Sequence, residues 1–295
     1  MSSSPEIKRS WSILAAWLAV CFLVFWKPCI ALAHHAMHND NASHILLIPF
    51  IVAWLVYRDR KKMVPRSLDL AAALWFAVPA VLLFVIVLRH SFVDGSISLA
   101  LLILALVLFI TAGFSALFGR DSLRSAWFSM AFLLFLVPFP QSLLSRVIFL
   151  LQTGSAAVAE ILFDWSGAPV LREGFVFHLP NMSIEVAQEC SGIRSSIALL
   201  VLALLVAHLS FSRLWKKALF VIAGLLMMVV KNGVRITTLT LLANYIDPSF
   251  LYGRLHREGG IVFFLIGLAL LWPVYWWLRR GEQVVAPERP EGPVT

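Results

Sequence analysis

Cys190 is the one cysteine of three that lies among polar residues, in the sequence QECSGIR at positions 188–194. A long apolar run follows and predicts a helix for which Ser191 is the N-cap. The positive end of a helix dipole and the nearby Arg194 both favour the thiolate, which is the nucleophilic form of the side chain. Cys190 is therefore a candidate nucleophile, although a cysteine with these features alone is more often structural.

Arg235 is the second candidate, because it lies with Lys231 inside a later apolar run, where charged residues are costly unless they face a polar cavity. Counted from Ala218 at 1.5 Å per residue, Arg235 lies about 25 Å along a hydrocarbon core of about 30 Å, close to its far surface. A guanidinium there can stabilise negative charge. The alternatives are a snorkelling arginine or an ion pair that packs two helices.

His256 is the third candidate and lies in the sequence RLHREGG at positions 254–260, before the last apolar run. The alternative is a solvated loop histidine. A thiol, an imidazole and a guanidinium on one membrane face supply the nucleophile, the acid and base, and the cation that acyl transfer needs. We expect no cofactor and no metal, because the only crowded histidines, in the stretch 34–44, match no zinc spacing.

The elements that hold these residues are predicted to be membrane-spanning helices. Hydrophobic residues make up 60% of the 295-residue chain and charged residues 14%, against roughly 25% charged residues in a soluble domain. Apolar runs that can supply spans lie at 11–33, 43–57, 68–88, 97–118, 123–140, 192–210, 217–245 and 260–278. The fold class is therefore an all-α, polytopic helical bundle of about eight spans, whose first run is retained rather than cleaved as a signal peptide.

Short basic clusters between the apolar runs produce the net charge of +8, which is typical of the positive-inside rule and argues against a nucleic-acid partner. Keeping every cluster in the cytoplasm puts three connections outside, at 34–42, 89–96 and 246–259. This assignment requires that residues 142–163 do not cross the membrane. Arg146, Thr153 and Glu160 are spaced by seven there and predict an extracytoplasmic amphipathic helix.

The stretch between that helix and Cys190 differs from the apolar runs in its composition and in its hydrophobic pattern. Alternating runs at 175–179 and 183–187, with glycine and proline around them, predict a small β-hairpin that leads into Cys190. We expect residues 1–281 to form a single transmembrane domain. The Pro- and Glu-rich residues 282–295 predict a disordered cytoplasmic tail.

Three segments resemble the exosortase/archaeosortase family of membrane cysteine transpeptidases. They are the cysteine segment 189–194 (ECSGIR), the arginine segment 232–236 (NGVRI) and the histidine segment 256–260 (HREGG). Their order and approximate spacing fit the family, and the similarity extends to residues 39–58, 137–140 and 167–174. The resemblance implies that Cys190, Arg235 and His256 are catalytic. It also implies that Arg194, Asn232 and Glu258 support them. Lys231 is not part of the resemblance.

The resemblance also implies a substrate, a location and a mechanism. The substrates would be exported proteins with a C-terminal sorting signal, in bacteria a Pro-Glu-Pro motif followed by a transmembrane segment and a basic cluster. The enzyme would lie in the bacterial inner membrane among lipids, with its site facing the periplasm, and an unknown envelope acceptor would receive the product. Cys190 would form a thioester, His256 would shuttle the proton, and Arg235 would hold the developing charge.

Two other functions stay open at this point. A membrane transporter would line an anion pathway with Lys231 and Arg235 and would be indifferent to the loss of Cys190. A non-enzymatic assembly factor for exopolysaccharide export would use all three candidate residues structurally. Sensitivity to thiol reagents at Cys190 separates the enzyme from both alternatives.

Overall fold

The computed structural model describes residues 5–65, 68–90, 95–186, 193–251, 260–280 and 282, and for residues 40 and 194 it describes the backbone alone. The α-helices in these ranges are α1 (Pro5–Val24), α2 (Trp26–His38), α3 (Ile48–Asp59), α4 (Leu70–Arg89), α5 (Gly95–Ser125), α6 (Trp127–Phe132), α7 (Gln141–Ser166), α8 (Ile193–Ser210), α9 (Leu214–Tyr245) and α10 (Gly260–Arg279). Short 3-10 helices accompany them at Asp40–Leu47, Arg60–Lys62, Leu133–Leu136 and Pro248–Leu251.

Seven helical stretches in the described residues are long and apolar enough to cross a membrane, which confirms the polytopic helical fold. They are Pro5–Val24, Asn41–Lys62, Leu70–Arg89, Gly95–Ser125, Gln141–Ser166, Leu214–Tyr245 and Gly260–Arg279. The seven include α7, for which the sequence predicts an amphipathic helix that does not cross. The fifth and sixth apolar runs of the sequence form the shorter helices Trp127–Leu136 and Ser195–Ser210.

One proline and one proline pair explain where the helices depart from the apolar runs. The first run breaks at Phe25, because Pro28 has no N–H to donate to the carbonyl oxygen of Val24 and its ring crowds that turn. The fifth run ends after Leu136, since Pro138 and Pro140 disfavour helical backbone in the residues before them. The ten residues that remain helical rise only about 15 Å, which is half of a hydrocarbon core.

The chain divides into two compact units, Met1–Val147 and Ile148–Thr295. In the first unit, α1 and α5 approach closely at a glycine. A Cβ added to Gly113 would lie 2.2 Å from the nearest atoms of the Trp17 ring. The Trp17 indole N–H donates to the Phe109 carbonyl oxygen at 2.9 Å. A bulky aromatic residue on one helix thus fills the space that a glycine leaves on the other.

In the second unit, α8, α9 and α10 pack around an apolar core. Its buried members are Leu199, Ala203, Ala207, Phe211, Phe220, Met228, Leu271 and Leu278. A second buried cluster joins α7 and α9 to the residues that follow α7, through Ala156, Ala159, Phe163, Phe177, Leu179, Val186 and Ile236. This second cluster places the chain that leads to Cys190.

That chain forms a three-stranded antiparallel sheet of β1 (Leu171–Glu173), β2 (Val176–His178) and β3 (Ser183–Glu185), in the order β1-β2-β3. Strands β2 and β3 are the predicted hairpin, and β1 adds a strand before it. Gly174 supplies the turn between β1 and β2 with a φ of 63°, which favours glycine. Phe177 is fully buried, and its ring lies 5.3 Å from the ring of Phe163 on α7.

Helix α7 is amphipathic in the way that the spacing predicts. Arg146, Thr153 and Glu160 are exposed, while the opposite face buries Ser155 and Ala159. Glu160 accepts a 2.5 Å hydrogen bond from Arg172 of β1, so the exposed polar stripe also helps to hold the sheet.

Candidate active site

The candidate residues divide into those that the structure describes and those outside it. Arg235 and Asn232 lie in the second half of α9. Cys190, His256 and Glu258 lie outside the described residues, as does the side chain of Arg194. The geometry around the cysteine segment therefore comes from its two described flanks.

The flank before Cys190 is fixed at Val186, which is 2% exposed and belongs to the same buried cluster as Ile236 of α9. The Gln152 side-chain amide of α7 donates to the Val186 carbonyl oxygen. Gln152 is itself buried at 5% exposure. A buried amide that reaches a strand-end carbonyl fixes the direction in which the chain leaves the sheet.

The flank after Cys190 is fixed at Ser195, in the first turn of α8. The Lys231 ammonium of α9 donates to the Ser195 hydroxyl, and Lys231 is 2% exposed. Its aliphatic stem runs past Gly267 of α10, where an added Cβ would meet the Lys231 Cδ at 3.4 Å. Three helices therefore converge on this lysine.

Both flanks are thus tied to one short stretch of α9. Lys231 and Ile236 are five residues apart, which is about 7.5 Å of helix. Arg235 is half-buried, adjacent to Ile236 and one turn after Lys231, so the two cations lie on one side of the helix. Val186 and Ser195, the described residues on either side of the cysteine segment, are therefore both attached to the part of α9 that carries Arg235.

Asn232 has a packing role that its motif alone does not reveal. It is 1% exposed, and its amide nitrogen donates to the Ser155 hydroxyl of α7 at 3.1 Å. The next residue, Gly233, lies against Val158 of α7, where a Cβ would be 2.5 Å from the nearest valine carbon. These residues bring α7 and α9 together and so support the position of Arg235.

The sheet carries a second group of polar side chains that the sequence reading did not single out. His178 of β2 lies 2.8 Å from the Ser183 hydroxyl through Nδ1 and 3.6 Å from the Glu173 carboxylate through Nε2. His178 and Ser183 are partners in the β2–β3 register, so their contact follows from strand pairing. The imidazole is 39% exposed, as expected of a surface cross-strand pair.

The described residues contain no cluster of metal-ligating side chains. In the described ranges, no three His, Cys, Asp or Glu side chains converge on a point that could hold an ion. His34 and His38 stack at a ring distance of 4.0 Å, and the His38 Nδ1 lies 2.9 Å from the His34 carbonyl oxygen. This is a helix-surface pair rather than a ligand set.

The sequence was also compared with known proteins. The family model described as transmembrane exosortase matches residues 34–273, a range that includes parts of both compact units. The matched range contains the cysteine, arginine and histidine segments. No curated protein and no solved structure matches the chain.

Proposed function

Because the chain belongs to the transmembrane exosortase family, we propose that it is a cysteine transpeptidase that cleaves the C-terminal sorting signals of exported proteins. Cys190 is its nucleophile, Arg235 its anion-stabilising group and His256 its acid and base. Arg194, Asn232 and Glu258 support them. The chain is a membrane-embedded exosortase in any case, and the proposal concerns its chemistry and its substrates.

The observation that supports this proposal best is the double attachment of the cysteine segment to α9. Val186 before the segment shares a buried cluster with Ile236, and Ser195 after it binds Lys231. The two described ends of the segment are therefore attached to the stretch of α9 that carries the half-buried Arg235. Acyl transfer gains most of its rate from such fixed placement and from charge stabilisation in a water-poor site.

The reaction follows from these roles. The Cys190 thiolate attacks the scissile carbonyl carbon, and the negative charge that forms on the oxygen is held by the Arg235 guanidinium. The C–N bond then breaks, and His256 gives a proton to the departing amine, which leaves a thioester on Cys190. Water or an acceptor amine attacks the thioester and loses its proton to His256, and the thiolate leaves unchanged.

Membrane topology supports a shared outer face for these groups. The chain must change sides once between Arg124 and Gly167, and either the short helix Trp127–Leu136 or α7 makes that crossing. The outcome is the same in both cases: the sheet and Cys190 face away from the basic clusters. If α7 crosses, Arg146 in its second turn lies near the cytoplasmic end, as the positive-inside rule requires.

A reporter fusion experiment tests this topology. Fusions after Gly174 and after Gly253 are both expected to report export, since only that arrangement keeps every basic cluster in the cytoplasm. We place the protein in the bacterial inner membrane with this face toward the periplasm, where the sorting signals of exported proteins and the envelope acceptor are found. A cytoplasmic signal at Gly174 would contradict a shared outer face.

The covalent intermediate is the direct test of the chemistry. Membranes that contain the enzyme and a protein with a C-terminal sorting signal are quenched in acid, and the peptide with Cys190 is analysed by mass spectrometry. We expect a substrate acyl group on Cys190 that neutral hydroxylamine removes. A transporter or an assembly factor would carry no such adduct, and its absence under conditions of active processing would reject the proposal.

A matched pair of histidine variants sharpens the same test. His256→Ala should slow turnover by about 10² to 10⁴, the usual contribution of a proton-transfer group. His178→Ala, which removes an exposed imidazole from the sheet, should leave turnover close to the wild-type rate. Equal losses in both variants would contradict a specific role for His256.

A further inference from the structure

Lys231 is a buried cation with no anionic partner among the residues that the structure describes. It is 2% exposed, and its contact with a polar group in the described residues is the hydrogen bond to the Ser195 hydroxyl. Across the described part of the chain, no carboxylate lies within ion-pair distance of its ammonium. An isolated ammonium in a low-dielectric interior is costly, so a lysine kept there calls for an anion that arrives during function.

A second lysine on the same helix shows what a structural buried lysine looks like. Lys216 is 5% exposed, and its ammonium lies 3.1 Å from the Glu282 carboxylate. That ion pair joins the start of α9, where the basic cluster lies, to the residue Glu282 that follows α10. Lys231 has the same degree of burial and lacks the carboxylate, so burial alone does not account for it.

Snorkelling does not relieve the charge on Lys231. Counted from Ala218, Lys231 lies about 20 Å along a hydrocarbon core of about 30 Å, so the far surface is about 10 Å of helix beyond it. The stem is also held beside Gly267, so the ammonium points to the start of α8 rather than to either surface. The position of the charge is therefore fixed.

The start of α8 is an unusual place for a cation. A helix N-terminus carries partial positive charge, and a lysine beside it is unfavourable unless an anion balances both. Ser196, the neighbour of Ser195, is 2% exposed, and its hydroxyl has no hydrogen-bond partner among the described residues. Within one turn of this helix end, the described residues thus leave a buried ammonium without a carboxylate and a buried hydroxyl without a hydrogen-bond partner.

We propose that Lys231 is a positioning residue for the acyl transfer, whose ammonium, oriented by Ser195, holds negative charge at the start of α8 while the thiolate and the oxyanion exist. The inference rests on the proposed function. Arg235 contacts the reacting carbonyl in that function, whereas Lys231 acts through Ser195 and the helix end. The two cations, one turn apart on α9, divide the negative charge of the reaction between them.

The test uses the full-length protein in membranes, with Cys21 and Cys29 changed to Ala so that Cys190 is the one thiol. Lys231→Met removes the charge and keeps an unbranched side chain, and Lys231→Arg keeps the charge. Lys216→Met, near the start of α9, is the matched control. Two quantities are measured, the pH profile of Cys190 alkylation by iodoacetamide and the kcat and KM for processing.

Lys231→Met should move the alkylation profile to higher pH and lower kcat by about tenfold or more with KM little changed, because a preorganised charge acts on the transition state. Lys231→Arg should recover most of the loss, and Lys216→Met should match the wild type in both quantities. Ser195→Ala should give a smaller change of the same sign, and it carries the test if Lys231→Met does not insert into the membrane.

Wild-type values of both quantities in Lys231→Met would overturn the inference. A larger loss of kcat in Ser195→Ala than in Lys231→Met would overturn it in another way, because Ser195 would then act independently of the ammonium. Failure of the proposed function is a separate result, in which Cys190→Ala still processes substrate. The three outcomes are therefore distinguishable.

Discussion

In the unit Met1–Val147 the buried hydroxyls of Thr111 and Ser115 donate to carbonyl oxygens of their own helix, at 2.8 and 2.9 Å. A further hydroxyl of this unit, Ser122, donates to the Val64 carbonyl oxygen outside its helix. In the unit Ile148–Thr295 the bonds between elements involve buried amides and a buried ammonium. Gln152 binds the end of the sheet, Lys231 binds α8, and Asn232 binds α7.

The difference concerns how firmly neighbouring elements are held in place. A hydroxyl that bonds within its own helix adds little to the positions of neighbouring helices, because the bond would survive if they moved apart. An amide or ammonium that bridges two elements in an apolar interior is costly when the bridge opens, so it fixes the distance between them. The amide and ammonium bridges of the second unit therefore fix the part of α9 that carries Arg235 against its neighbours.

The largest expected effect is at Arg235. We expect Arg235→Ala to be inserted but inactive, and Arg235→Lys to lose about 10² to 10³ in processing rate, because an ammonium does not reproduce the planar set of donors that stabilises an oxyanion. Arg89→Lys, at the exposed end of α4 in the first unit, is the control and should process normally. A normal rate in Arg235→Lys would remove the specific hydrogen-bonding role.

A smaller effect is expected at two glycines, one in each unit, where a neighbouring side chain leaves no room for a Cβ. Gly233→Ala would place a Cβ 2.5 Å from Val158 and 3.2 Å from the Ser155 carbonyl oxygen, while Gly113→Ala would place one 2.2 Å from Trp17. Overpacking of this kind typically costs about 1 to 3 kcal/mol of stability, so both variants should unfold at lower temperature in detergent.

The activity of the folded fraction distinguishes these two variants. Gly233→Ala should lower it, because the clash moves the part of α9 that carries Arg235 and Lys231. Gly113→Ala should leave it unchanged. The comparison between the units would be wrong if activity per folded molecule fell in Gly113→Ala and not in Gly233→Ala.

Much of this architecture could be predicted from hydrophobic patterns. The long apolar runs identified α4, α9 and α10 closely, and the alternation after residue 174 identified β2 and β3. The sequence also predicted that Arg235 lies in the second half of its helix. The break at Phe25 and the short helix Trp127–Leu136 were not predicted, since apolar runs continue through the prolines that interrupt the helices.

The contacts that matter most for the site could not be predicted from sequence. Lys231 and Ser195 are 36 residues apart, and Gln152 and Val186 are 34 apart, so only the rotation and register of packed helices bring them together. Strand β1 was not predicted, because Leu171–Glu173 has one apolar residue followed by two charged ones and therefore shows no alternation. The roles of Cys190 and His256 stay predictions that rest on their segments and on the described flanks.

The smallest expected effect concerns the contacts of Glu282 with Ser212 and Lys216 near the start of α9. We call these contacts the polar bridge. Glu282 accepts a 2.7 Å hydrogen bond from Ser212 and lies 3.1 Å from Lys216, and these hydrogen bonds lower the pKa of its carboxyl below the usual value. A lowered pKa in the folded state means that the bridge stabilises the protein above the ordinary glutamate pKa of about 4.3 and is lost as the pH falls through the folded value.

Glu282→Gln should therefore melt slightly below the wild type at pH 7, and the difference should disappear in acid. Processing at pH 7 by the folded fraction should stay normal, because this bridge holds the helix ends and not the reacting groups. Thermal unfolding in detergent across the pH range checks the first point. A difference that grew as the pH fell would contradict the assigned direction of the pKa.

The most direct measurement of the central claim compares the three cysteines in one processing assay. Cys21 and Cys29 lie in α1 and α2 of the first unit, and Cys190 belongs to the second unit. Each is changed to Ala and co-expressed with a protein that carries a C-terminal sorting signal, and the precursor and product are followed on gels. We expect Cys190→Ala to leave the full-length precursor in the membrane, while Cys21→Ala and Cys29→Ala process it at the wild-type rate. Processing by Cys190→Ala at that rate would contradict the claim that Cys190 is the nucleophile.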